Sequence, residues 1–117
     1  PPISVLRKET FLIHASQSVG EAIGELLVAS MVSVGIPDGV ARQTIWLFDP
    51  VDGLYSTEGG HHRGSKFLRS LPLALRGEPS LAAAINVTGT TVLIGASRVR
   101  GAFDPPALLA LHRNAKQ

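Results

Sequence analysis

Three side chains could do acid–base or anion chemistry if the fold brings them together: His14, Glu21 and Arg98. His14 follows the apolar run Thr10-Phe11-Leu12-Ile13, so it stands at the carboxyl end of an expected strand, the edge where open α/β sheets hold their ligands. With an unperturbed pKa near neutrality, it could serve there as general acid or base, with Glu21 or Asp49 nearby. The plainer reading is a histidine that fills a turn and bonds to backbone. Arg98 and Arg100 follow a later apolar run and could grip a carboxylate or phosphate through forked hydrogen bonds; ordinary surface arginines explain them equally well. His61 and His62 are adjacent, and neighbours in sequence rarely converge on one ion. No Asp, Glu or His nearby completes a ligand spacing, so a solvated loop and no metal site are expected. Asn86-Val87-Thr88 matches a glycosylation sequon, which without a secretory signal is read as chance.

The elements that must position these residues can be read from periodicity. Thr10–Ile13 reads as a buried strand entering the small polar turn His14-Ala15-Ser16-Gln17. Ser18 and Glu21 have the spacing of a capping box, which makes Glu21 the partner of Ser18 at a helix start. Val19, Ala22, Ile23, Leu26, Leu27 and Ser30 then form a mostly apolar stripe, and the helix should end near Gly35, before Pro37. Thr44–Phe48 is a second strand, stopped at Asp49-Pro50, with Trp46 in the core. Gly53 to Ser65 reads as a surface loop, and Lys66 to Leu75 as a helix interrupted by Pro72. Ser80 caps a short helix over Leu81–Ile85 that ends around Gly89. Thr91–Gly95 is a third buried strand, and Asp104-Pro105 opens a last helix from Pro106 to Arg113. The order β-α-β-α-α-β-α implies an α/β fold with a short, mostly parallel three-stranded sheet between helical layers and right-handed crossovers.

Bulk properties bound the function. The chain has 117 residues, 44% hydrophobic and 17% charged, which is material for one compact domain spanning 1–117. It contains no cysteine, which excludes a disulfide framework and thiolate metal sites and favours a reducing, cytoplasmic setting. The longest apolar stretch, Leu26 to Ile36, is broken by Ser30, Ser33 and Gly35 and is shorter than the roughly 20 residues that cross a bilayer. A net charge of +2 and a pI near 9.5 are too mild and scattered for a nucleic-acid surface.

Several stretches, in one order, resemble the NAD(P)-binding domain of malic enzymes: Pro2-Ile3-Ser4, the strand-turn-helix from Phe11 to Met31, Ile45-Trp46-Leu47-Phe48-Asp49 with Gly53-Leu54, and Leu93-Ile94-Gly95 leading to Gly101-Ala102-Phe103. The resemblance covers nearly the whole chain and implies a minimal Rossmann-like fold. It places Ala15, Gln17 and Gly20 on the glycine-rich turn that approaches the dinucleotide pyrophosphate. Asp49 takes the acidic position that bonds ribose hydroxyls, and Gly95 ends a strand beside the cofactor. The first two glycine positions carry Ala15 and Gln17 instead, and a glutamine at the second stands where a phosphate needs room. The tyrosine, lysine and metal-binding carboxylates of malic enzymes are expected to lie outside 1–117.

These readings lead to a degenerate, truncated dinucleotide-binding domain that does not decarboxylate malate alone. It would bind NAD(P) weakly or not at all and act as an interaction module or pseudoenzyme, with itself as a homodimer partner that covers open sheet edges. One alternative is a small repurposed enzyme that takes a small-molecule ligand in the former cofactor crevice and uses His14, Asp49 or Arg98. The other is a module that still holds NAD(P) in an altered pose, with Asp49 on the ribose.

Overall fold

The computed structural model describes residues 9–51, 53–54, 67, 80–97 and 103–115. In chain order these form β1 (Phe11–His14), α1 (Gln17–Ser33), α2 (Asp38–Gln43), β2 (Ile45–Asp49), β3 (Gly53–Leu54), α3 (Leu81–Thr88), β4 (Val92–Gly95) and α4 (Pro105–Ala115). The strands make one sheet in the order β3-β2-β1-β4. β1 pairs in parallel with β2 and β4, and β3 runs antiparallel to β2. Among the described residues the sheet therefore has four strands, not three. The expected loop from Gly53 begins with a strand, because Gly53 adopts φ +78, a left-handed conformation that glycine takes without steric cost and that turns the chain back beside β2.

Helices cover both faces of the sheet. Phe11, Ile13, Ile45 and Leu47 pack against Val28 and Met31 of α1, Ala41 of α2 and Phe67, with Val92 and Ile94 alongside. Leu12 and Phe48 point to the other face, against Leu81, Ala84 and Ile85 of α3 and Ala107 and Ala110 of α4, with Trp46 and Leu93 half-buried beside them. This strict alternation is the two-residue period of a strand covered on both sides. β1 is the most completely buried strand and lies at the centre of the sheet, not at an edge. Among the described residues β3 and β4 are the two edges, and the residues of β4 are half-buried or exposed, whereas the sequence predicts a buried strand.

The start of α1 corrects the capping-box reading. The helix begins two residues early, with Ser16 at the N-cap in extended geometry and no side-chain cap. Ser18 is thus already helical, and Glu21, half-buried in the second turn, is too far along to reach the N-cap amide. The buried face is Gly20, Gly24, Val28 and Met31, whereas Val19 and Leu26 of the expected stripe are 41% and 70% exposed. Small residues, not large ones, bring this helix onto the sheet. Its end is as expected: Gly35 at φ +100 follows the last turn, and the amides of Gly35 and Ile36 return to the carbonyls of Val32 and Met31, a Schellman closure.

The six-residue α2, unanticipated from sequence, starts after Pro37. Arg42 fastens it, bonding Asp38 at 2.9 Å and pairing with Glu25 of α1 while its guanidinium lies 5.3 Å over the Phe67 ring. Two expected caps are in place. The Ser80 hydroxyl accepts from the Ala83 amide at 3.2 Å, and the Asp104 carboxylate accepts from the Ala107 amide at 3.0 Å, with Pro105 first in α4. The expected helix from Lys66 to Leu75 lies outside the described residues, apart from Phe67. Among the described residues, no helix is long and apolar enough to cross a membrane.

Candidate functional site

The register sets His14, Phe48 and Gly95 side by side at the carboxyl ends of β1, β2 and β4. The order reverses here: β1 leads through α1 and α2 to β2 on one side, and the later β4 docks on the other. Such a switch point opens a crevice at the carboxyl edge of an α/β sheet. Backbone bonds extend the ladder past the strands, from the Ala15 amide to the Phe48 carbonyl and from the Ala96 amide to the His14 carbonyl.

Side chains close much of that edge. His14 is 3% exposed; its ring stacks on Phe48 with centroids 5.4 Å apart and meets Phe103 edge-on at 5.7 Å. Its Nδ1 lies 2.7 Å from Ser97 Oγ, a bond between the ends of β1 and β4. Burial holds the imidazole pKa below the usual 6.5, while a backbone hydrogen bond and the charge of Asp49 pull the other way. Phe103 also crowds residue 95: a Cβ on Gly95 would stand 2.6 Å from Phe103 Cζ and 2.9 Å from Cε2, closer than carbon atoms can approach, so the partly exposed ring would have to shift.

The turn that leads into α1 is short. Ala15 is buried, Ser16 is exposed and Gln17, the first helical residue, is half-buried. Every position from His14 to Val19 carries a side chain, whereas close approach of a pyrophosphate needs bare backbone. Gly20 packs over β1 and β2, but a Cβ there would meet Ala15 and Leu47 at 3.8 Å, an ordinary contact. The close packing ascribed to a third glycine is not demanded at this position; it occurs one turn on, at Gly24 against Phe67. Asp49 ends β2 half-buried, and its Oδ1 accepts from the Val51 amide at 2.8 Å.

The edge thus assembles His14, Ala15, Gln17, Asp49 and Gly95, while Glu21 lies a turn further along α1. Arg98, Arg100, His61 and His62 lie outside the described residues. Among the described residues, no group of three or more His, Asp or Glu could hold a metal ion. Sequence reading passed over Ser97 and the packing role of Phe103. Ser97 meets His14 across 83 positions, and only the parallel pairing of β1 with β4 could have pointed to it.

The family model of the malic enzyme NAD-binding domain matches residues 3–117. The chain belongs to that family. The match spans every element described above, and the four-stranded α/β sheet is the minimal Rossmann-like fold that the resemblance implied. It is a dinucleotide-binding domain by lineage. No individually curated protein matches the chain.

Proposed function

We propose that this malic-enzyme-type domain has exchanged tight dinucleotide binding for a filled crevice, and that it works as an interaction module without malate decarboxylation of its own. One observation carries this reading: the His14 ring, held by Phe48, Phe103 and Ser97, occupies the switch point between β1 and β4, where a dinucleotide needs space. The Gln17 side chain at the first helical position adds to it. Two features fit the cofactor: the first turn of α1 has no side-chain cap, so its amides can receive an anion, and Asp49 retains a carboxylate at the ribose position. A dinucleotide in the ordinary pose would still collide with the turn. The homodimer belongs to the same proposal, with the edge of β4, which has no further strand beside it among the described residues, as its pairing surface.

Calorimetric titration with NAD(H) and NADP(H) tests the reading, first on the native chain and then on Gln17→Gly. We expect no heat of binding at micromolar ligand from the native chain and measurable affinity from the glycine variant. Micromolar binding by the native chain, lost in Asp49→Ala, would instead establish the altered-pose reading. Sedimentation of the native chain reports the dimer, and a monomer at high micromolar concentration would refute that part.

A further inference from the structure

The contact that fills the crevice has a chemistry of its own. Ser97 is half-buried and His14 almost wholly buried, with the hydroxyl oxygen 2.7 Å from Nδ1, the distance at which an imidazole in the tautomer protonated on Nε2 can take a serine proton. Stacking on Phe48 and the edge contact from Phe103 fix the plane of the ring, so Nδ1 stays on Ser97. Burial disfavours the imidazolium that would form, and the charge of Asp49 offsets part of that cost. The first turn of α1, which has no side-chain cap, begins three residues after His14.

We propose that Ser97 is a nucleophile activated by His14 and that the pair transfers small uncharged acyl groups from esters. The Ser97 Oγ–H proton passes to His14 Nδ1 while Oγ bonds to the ester carbonyl carbon. The carbonyl–alkoxy bond then breaks, and the alcohol leaves with the proton from Nδ1. Water, deprotonated by the same nitrogen, releases the carboxylic acid and regenerates Ser97. Phe103, 37% exposed and edge-on to His14, gives the pair an apolar neighbour that suits a small uncharged acyl group. The proposal rests on the reading that no dinucleotide holds the crevice. The two fail separately, because nucleotide binding is read by calorimetry and the nucleophile by covalent labelling.

The full chain is incubated with an alkyl fluorophosphonate, which bonds its phosphorus to an activated serine and releases fluoride, and the adduct is mapped by mass spectrometry. The adduct is expected on Ser97 and not on exposed Ser33; it should vanish in Ser97→Ala and form roughly 100-fold more slowly in His14→Gln. On the native chain, which needs no variant to fold, the rate should be flat above neutrality and fall with acid, with its half-point below pH 6.5 as burial of His14 requires. Absence of a Ser97 adduct would overturn the proposal. So would a rate that rises tenfold per pH unit through pH 7 to 9, the mark of a serine with no base.

Discussion

Gly20 and Gly24 lie one turn apart on the buried face of α1, and alanine should act oppositely at the two positions. Replacing a mid-helix glycine by alanine stabilises by about 1 kcal/mol through backbone entropy alone. At Gly20 the added methyl meets Ala15 and Leu47 at 3.8 Å, so that gain should be kept. At Gly24 it lands 2.8 Å from Phe67 Cζ and 3.1 Å from Cε2, and the ring must retreat by roughly 0.8 Å to regain a normal carbon contact. Phe67 is 4% exposed and lies under the Arg42 guanidinium, which restricts the retreat; overpacking of this kind costs about 1 to 3 kcal/mol. The helix term cancels between the two variants, so their difference isolates the ring contact. Urea unfolding should place Gly24→Ala about 1 to 3 kcal/mol below Gly20→Ala, or at least about 4 °C lower in Tm. In a Phe67→Leu background the gap should close. A gap under about 0.5 kcal/mol, or one that persists without the ring, would refute the reasoning.

Two further outcomes are expected. His14 has a folded pKa below 6.5, so the folded chain binds fewer protons than the unfolded one between those values. Its contribution is full above about pH 6.5 and is lost as pH falls towards the folded value, at up to about 1.4 kcal/mol per pH unit. Urea midpoints from pH 8 to pH 5 should show this slope in the native chain and lose it in His14→Gln; equal slopes would exclude His14 as the source. Asn114 Nδ2 donates to the Ile85 carbonyl at 3.0 Å and the Thr90 carbonyl at 2.8 Å, tying the last turn of α4 to the end of α3. Asn114→Ala takes a donor from each carbonyl, although Ile85 keeps the Gly89 and Thr90 amides, and should cost about 1 kcal/mol; an unchanged denaturation midpoint would show the tie to be idle.

The sequence was most legible where a local rule has one answer. Ser80, Asp104 with Pro105, and Gly35 mark helix ends through bonds that reach only a few positions, and all three are found where expected. The phase of α1 was misread because an apolar count gives no weight to glycine, although Gly20 and Gly24 are the residues that let the helix approach. A two-residue strand such as β3 is too short to show a period, and α2 is a single short helix after a proline. The central place of β1 and the meeting of His14 with Ser97 depend on strand order, which no local window contains. The candidate residues whose positions could be read in advance were those at strand ends, because the carboxyl edge of a sheet follows from strand direction alone.

The central position of β1 also bears on how the chain folds. Its contacts with β2 close over a short stretch, through α1 and α2, so the first half of the molecule can collapse as one contiguous unit. The β4 side closes only when partners such as Thr10 and Thr91, 81 positions apart, find each other. Loop-closure entropy must be met before that second pairing is rewarded. On a ribosome, β1 would emerge before β2 and β4, with one edge open until residues 92–95 have been made. That interval is the period in which this domain is most exposed to strand exchange with another copy of itself.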